Sequence, residues 1–159
     1  MNKAAALLVT FLTAMLMAQA QRGPNANPDA IVGVYKIEYG GQVSKVRIYK
    51  CTDGTYSAQC IYLKDSIDPK TGKLLTDSKN PNRELRNIPS NRVILIQGLR
   101  YNPDKQRWEK GRIYDPTRGL HARCTCEFTA DRRLKLRGSV LGIGETVYWQ
   151  PLKELRIEN

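Results

Sequence analysis

Residues 120–128 read LHARCTCEF, and residues 133–141 read RLKLRGSVL. In both runs apolar or small residues alternate with polar or charged ones. The apolar or small residues of the first run are Leu120, Ala122, Cys124, Cys126 and Phe128. Those of the second run are Leu134, Leu136, Gly138 and Val140. Successive side chains of a strand point to opposite faces of its sheet. The alternation therefore predicts two successive strands, each with one face in a core and the other in water.

Further segments with the features of short strands lie on both sides of these runs. Apolar and β-branched stretches are broken by Gly, Asn, Asp and Pro, with hairpin signals at Gly40-Gly41 and Thr52-Asp53-Gly54. The predicted strands cover residues 31–39, 43–51, 55–63, 92–99, 110–114, 119–128, 133–141 and 145–150. Such short strands are typical of an all-β barrel or sandwich. The long connection 64–91 has room for one helical turn at 82–88, and connections of this length are often functional.

The N-terminus has the three-part layout of a secretory signal peptide. Lys3 precedes an apolar run, and the small-residue sequence Ala18-Gln19-Ala20 follows it. We expect cleavage after Ala20, giving an exported protein of the periplasm or the cell exterior. Residues 21–30 are rich in Gly, Pro and Asn and are predicted to form an extended tail. The apolar run is too short to span a bilayer, so no membrane span is expected in the mature protein.

The mature chain of 139 residues fits one domain. The full sequence has 26 basic and 15 acidic residues. Lys3 is the one charged residue of the signal peptide, so the mature charge is +10. Because the basic residues are scattered and are not interleaved with aromatics, nucleic acid is not the expected partner. A solvated basic surface or an anionic envelope component remain the alternatives, the second through the face formed by Arg123, Arg133, Lys135 and Arg137.

The cysteines Cys51, Cys60, Cys124 and Cys126 are expected to meet an oxidising compartment, where disulfides form. Cys124 and Cys126 point the same way on one strand, at the far limit of disulfide reach, so a bridge between them is disfavoured. Cys51 and Cys60 are not direct neighbours across their hairpin. We therefore expect each of them to join one of the other two. The spacing does not match a zinc site.

The sequence contains few residues in patterns that are typical of a catalytic site. Its single histidine, His121, falls on the polar, outward face of its strand, and one histidine cannot build a multi-histidine metal site. Asp65, Asp68, Asp77 and Asp115 resemble turn-forming residues more than a paired carboxylate site. No cofactor, metal or catalytic residue is expected, and a hydrolase is the least favoured class.

One segment stands out by its composition. Residues 108–119 read WEKGRIYDPTRG, and they combine two large aromatics, two glycines and an Asp-Pro turn. Together with Asp77, Asn80-Pro81, Leu85-Arg86, Leu136-x-Gly138 and Trp149, this segment resembles the uncharacterised exported family called DUF2147. The resemblance runs from about Ile31 to Pro151, with residues 152–159 left as a C-terminal tail. It implies a single antiparallel, lipocalin-like β-barrel of about eight strands.

An eight-stranded barrel is just wide enough either to fill with side chains or to hold one small ligand. The leading hypothesis is a non-enzymatic protein that binds a small apolar or amphipathic, lipid-like molecule in or at the mouth of the barrel. Aromatic residues with polar tips suit a partly wet rim. The candidate ligand-binding residues are Asn80, Trp108, Tyr114, Asp115 and Trp149. Gly111, Pro116 and Gly119 are assigned to backbone geometry.

Overall fold

The structure, a computed structural model, describes residues 23–140 and 143–152. The predicted signal peptide and residues 153–159 lie outside these ranges. The described residues form eight strands: β1 (Gly33–Tyr39), β2 (Gln42–Lys50), β3 (Tyr56–Leu63), β4 (Ile94–Asn102), β5 (Arg107–Asp115), β6 (Leu120–Phe128), β7 (Leu134–Val140) and β8 (Ile143–Leu152). Each strand pairs with the next, and β8 pairs with β1 to close the barrel. The predicted antiparallel eight-stranded barrel is confirmed.

The predicted strand boundaries agree best where the alternation is regular. β6 and β7 lie within one residue of the prediction at most ends, whereas β5 begins three residues early, at Arg107. The reason is a register shift between Trp108 and Gly111, where Lys110 adopts a left-handed φ of 63°. A β-bulge of this kind breaks the period of two on which the prediction depends.

Antiparallel pairing in sequence order divides the connections between two ends of the barrel. The mouth end carries the β1–β2, β5–β6 and β7–β8 turns and the long connection 64–93. That connection contains two short 3₁₀ helices, one of them at Arg83–Leu85 inside the predicted helical turn. The closed end carries the other turns and the segment before β1, which includes a 3₁₀ helix at Pro28–Ile31.

The closed end is tightly packed around Trp108, which has no exposed surface. The indole N–H donates to the carbonyl oxygen of Pro28 at 3.0 Å. The rings of Tyr101 and Phe128 lie 5.3 and 5.8 Å from that of Trp108. Ile31 is fully buried in the same core cluster. This end is therefore filled by side chains and covered by the chain before β1.

Residues 21–30 were predicted to form an extended tail, but the described part of that segment, residues 23–30, packs against the barrel and includes the start of a 3₁₀ helix. The Asn25 side chain accepts a hydrogen bond from the backbone N–H of Phe128 at 2.7 Å and donates one to the Phe128 carbonyl at 2.9 Å. The Tyr101 hydroxyl donates to the Asn25 carbonyl at 2.6 Å. Asn27 then caps the 3₁₀ helix by accepting the N–H of Asp29. These bonds hold the segment across the closed end.

The predicted disulfides are not present, because all four cysteines are free thiols. Cys60 on β3 and the pair Cys124 and Cys126 on β6 belong to strands separated by β4 and β5. Neighbouring strands are spaced by about 4.8 Å. Because β4 and β5 lie between β3 and β6, these thiols are beyond bonding distance. Cys51 donates its thiol hydrogen to Ser57 in its own hairpin. Burial raises the pKa of Cys124 to about 12 and also raises the pKa of Cys60, which favours unreactive thiols.

Candidate functional site

The mouth half of the barrel is hollow, and the cavity measures about 660 Å³. Its wall is mostly apolar. Trp149 and Leu136 line it toward the closed end, and Ile37, Leu95 and Ile113 line its sides. Cavities of roughly 300–1,000 Å³ with an apolar wall are typical of small-molecule sites.

The hollow follows from a gradient of side-chain size along the strands. Toward the mouth, the residues that face the interior are small: Ser44 on β2, Cys60 on β3, Ala122 on β6 and Gly138 on β7. Toward the closed end, the interior positions of the same strands hold larger residues that pack in the core: Ile48, Tyr56, Phe128 and Leu134. The mouth half is therefore hollow because its interior side chains are small, and the closed end is filled because its interior side chains are large.

Arg118 ties together three turns at the rim of the cavity. Its Nε donates to Asp115 at 2.6 Å, and one Nη donates to Glu145 at 3.1 Å and to the Tyr39 hydroxyl at 2.8 Å. Tyr39 in turn donates to the other oxygen of Glu145 at 2.7 Å. Thr117 completes the set by donating its backbone N–H and hydroxyl to Asp115. We call Arg118, Asp115, Glu145 and Tyr39 the rim network.

The rim network keeps both carboxylates ionised. Hydrogen bonds from Tyr39 and then from Arg118 lower the pKa of Glu145. Partial burial would raise the pKa of Asp115, but the hydrogen bonds from Thr117 and Arg118 outweigh it and the pKa is lowered. The charges at the rim are therefore already paired, while the cavity below them is apolar.

The long connection forms part of the cavity wall through Leu75, Thr76 and Ser90. It is held by Asp77, which is buried and accepts the Tyr114 hydroxyl at 2.7 Å. Because the Tyr114 side chain is desolvated and donates to this carboxylate, the pKa of Tyr114 is raised. The ring of His121 lies 4.7 Å from that of Tyr114.

A second attachment of the connection lies at the β5–β6 turn. Gly119 has a left-handed φ of 68°, and a Cβ there would overlap the carbonyl oxygen of Lys79. The Lys79 amine donates to the Thr117 carbonyl at 2.6 Å. Gly119 thus serves a close approach of two backbones as well as a turn.

The structure brings three of the five predicted ligand-binding residues together at the cavity. Tyr114, Asp115 and Trp149 line it. Asn80 is buried away from the cavity lining, where its amide donates to Asp77 at 2.7 Å. Trp108 lies at the closed end, some six residues along β5 from Tyr114, which corrects its predicted place at the mouth.

Of the four residues of the predicted basic face, Arg123 lies on β6, Lys135 and Arg137 lie on β7, and Arg133 lies immediately before β7. Arg123, Arg133 and Arg137 are exposed. Two of the four are neutralised by neighbours. Lys135 pairs with Glu127 at 3.2 Å, and Arg133 pairs with Asp131 at 2.6 Å. The face therefore carries less free positive charge than the sequence suggested.

Sequence reasoning missed Arg118, Glu145 and Tyr39. Arg118 occupies an unassigned position of the 108–119 segment, and Tyr39 stands beside the predicted Gly40-Gly41 turn. Their proximity to turns was a usable signal, but their partners are far apart in sequence. His121, predicted to face outward, is exposed and also borders the cavity at its rim. Burial and then the nearby charge of Arg112 lower its pKa.

Two further observations concern the part of the chain that the structure describes. No three His, Cys, Asp or Glu side chains there are grouped so that they could hold a metal ion. Across residues 23–140 and 143–152, no helix is long and apolar enough to cross a membrane.

A closed antiparallel barrel with a cavity at one end defines a lipocalin-like class of protein. Residues 33–151 match the family described as "Uncharacterized protein conserved in bacteria (DUF2147)", and the chain belongs to that family. A solved structure with a similar fold is described as "Protein HP1028 from the human pathogen Helicobacter pylori belongs to the lipocalin family". The two share 22% identity with a TM-score of 0.63, over 78% of this chain and 84% of that chain. No curated protein matches the sequence.

Proposed function

We propose that this chain is an exported, non-enzymatic protein that binds one small apolar or amphipathic molecule in the barrel cavity. The observation that carries the proposal is an apolar cavity of about 660 Å³ beneath a polar rim. Burial of apolar surface contributes roughly 25 cal/mol per Å², so such a wall favours an apolar guest over water. The polar end of an amphipathic guest would lie at the rim network.

The arrangement of carboxylates favours binding over hydrolysis. A general acid of a hydrolase needs a carboxyl pKa raised toward neutral pH. At this rim the pKa values of Asp115 and Glu145 are instead lowered, chiefly by hydrogen bonds that outweigh burial. His121 packs against Tyr114 and lies on a different strand from Glu145.

An alternative proposal is an interaction module that docks an anionic envelope component through Arg123, Arg133, Lys135 and Arg137. The exposure of Arg123 and Arg137 supports it. The ion pairs of Arg133 and Lys135 weaken it, because a partner would have to displace Asp131 and Glu127. The cavity proposal therefore has the stronger support.

A contact quencher tests where the guest binds. Trp149 borders the cavity, whereas Trp108 is buried at the other end. A brominated long-chain alcohol, which quenches tryptophan by contact, is expected to cause saturable quenching in the wild-type protein. Trp108→Phe, which leaves Trp149 alone, should retain that quenching, and Trp149→Phe should lose most of it.

The two single-tryptophan variants serve as controls for each other in this titration. Equal fractional quenching in both would show that the quencher does not enter the cavity. The absence of saturable quenching in the wild-type protein would refute the proposal itself.

The rim network predicts how release of the guest depends on pH. The pKa values of Glu145 and Asp115 are lowered in the folded protein from ordinary values of 4.5 and 3.8. The stabilisation that these two carboxylates give to the rim network is therefore fully present above their ordinary pKa values. It is lost as the pH falls through the lowered pKa values. Stopped-flow dissociation of a bound hydrophobic probe should be constant from about pH 7 to 5 and accelerate below about pH 4.

Arg118→Gln should remove most of this pH dependence and raise the dissociation rate at neutral pH. The expected rise is about two- to fivefold, since exposed ion pairs contribute ~0.2–1 kcal/mol each. Arg47→Gln, an exposed arginine on β2, is the matched control and should leave the rate unchanged. A wild-type rate that is flat through the acid range would contradict a closing role for the rim network.

A further inference from the structure

Exposed apolar side chains are concentrated at the mouth end of the barrel. Eight of them lie on the strand ends and the long connection there, each at least 36% exposed, among them Ile61, Tyr62, Ile67, Leu74, Leu75 and Leu120. Among the described residues toward the closed end, two large apolar side chains, Val32 and Tyr148, are exposed to a similar extent. Exposed apolar surface gathered at one place marks an interaction site more often than scattered residues do.

Three of these side chains, Ile67, Leu74 and Leu75, belong to a small hairpin at the edge of the cavity, residues 66–75, which we call the mouth hairpin. Ile67 pairs with Leu74, and the N–H of Leu75 donates to the carbonyl of Ser66. Leu75 lines the cavity, so its neighbour Leu74 faces the other way, together with Ile67. Both of these side chains are 50% exposed. The hairpin thus carries an apolar pair beside the entrance.

Basic side chains lie on and beside the mouth hairpin. Lys64, Lys70 and Lys73 are exposed, and the Lys45 amine lies 5.2 Å from the ring centre of Tyr62. The rim carboxylates Asp115 and Glu145 are bound by Arg118. Two further carboxylates, Asp65 and Asp68, lie in this segment, and the four lysines outnumber them. The surface therefore combines exposed apolar side chains with a net positive charge, which complements an anionic lipid surface.

We propose that the mouth hairpin docks the protein on an anionic lipid bilayer. Ile67 and Leu74 enter the headgroup region, and Lys64, Lys70 and Lys73 contact the anionic headgroups. The cavity then opens toward the bilayer, so an apolar guest passes between membrane and barrel without crossing water. This last step rests on the proposed function, whereas the docking itself does not.

Sedimentation with vesicles tests the docking. The wild-type protein is expected to bind vesicles of an equimolar mixture of phosphatidylglycerol and phosphatidylcholine and to bind pure phosphatidylcholine weakly. Ile67→Ser with Leu74→Ser should weaken binding to the mixed vesicles by about tenfold or more. Val32→Ser with Tyr148→Ser removes the same kind of exposed apolar surface elsewhere and should leave binding unchanged.

The outcomes separate docking from guest binding. Equal vesicle binding by the Ile67/Leu74 variant and the wild-type protein would overturn the proposal, as would equal binding to both kinds of vesicle or to neither. The same variant should still bind a hydrophobic probe in solution, which shows that it is folded and that its cavity is intact. Vesicle binding by a wild-type protein that takes up no probe would refute the proposed function and leave the docking in place.

Discussion

Replacing Trp108 with alanine is expected to lower the free energy of unfolding by about 3–5 kcal/mol, the usual range for removing a buried tryptophan. Trp108 is fully buried, and its ring contacts Tyr101 and Phe128. The substitution leaves a void and also removes the donor to the Pro28 carbonyl. Because a domain is stable by only about 5–15 kcal/mol, this is a large share of the total.

Urea denaturation followed by circular dichroism measures the change. Val32→Ala, at the exposed residue next to the 3₁₀ helix, is the control and should change the free energy by less than about 0.5 kcal/mol. A loss below about 1 kcal/mol for Trp108→Ala would contradict the assignment of Trp108 to the packed closed end and would return it to the candidate binding residues.

Replacing Ala122 with tryptophan is expected to abolish probe binding while the barrel stays folded. Ala122 lies on β6 and lines the cavity, opposite Ile113 on β5. The added indole enters empty space, so it displaces the guest with little of the strain that follows overpacking of a filled core. The expected loss of affinity in a fluorescence titration is at least about a hundredfold, roughly 2.7 kcal/mol.

Gln97→Trp is the matched control, because Gln97 is exposed on the outer face of β4. It adds the same side chain outside the barrel and should leave probe affinity unchanged. Equal loss of binding in both variants would point to a general effect on folding, and equal retention would show that the probe binds elsewhere.

The fold could be predicted from the sequence wherever one face of a strand is buried and the other is wet. Arg123 and Cys124 on β6, and Lys135 and Leu136 on β7, follow this rule, and their strands lie where the alternation placed them. β5 departs from it because Lys110 takes a left-handed conformation within a bulge. Such a local conformation leaves no trace in a pattern of period two.

The candidate site could be predicted only in part, because alternation assigns a face to a residue but not an end of the barrel. Trp108 and Trp149 both face the interior, but Trp108 is covered by the segment before β1, whereas Trp149 meets the cavity. Asp77 and Tyr114 belong to the segments that carry the family resemblance. Their hydrogen bond attaches the long connection to the barrel, and 37 positions separate them in the chain.

The cysteines illustrate the same limit. The alternation placed Cys124 and Cys126 on the apolar face of their strand, and both are buried, as is Cys60. Their separation depends on the order of strands around the closed barrel, which counting residues does not supply. Two strands, β4 and β5, separate Cys60 on β3 from Cys124 on β6 in the closed barrel.

Native mass spectrometry of the protein mixed with a long-chain alcohol tests the central claim, that the cavity holds one apolar or amphipathic guest, most directly. We expect a single bound molecule per wild-type chain, saturating at one, and none on the Ala122→Trp variant. A wild-type chain that stays unliganded at saturating alcohol, or an Ala122→Trp chain that binds the alcohol as well as the wild type, would contradict it.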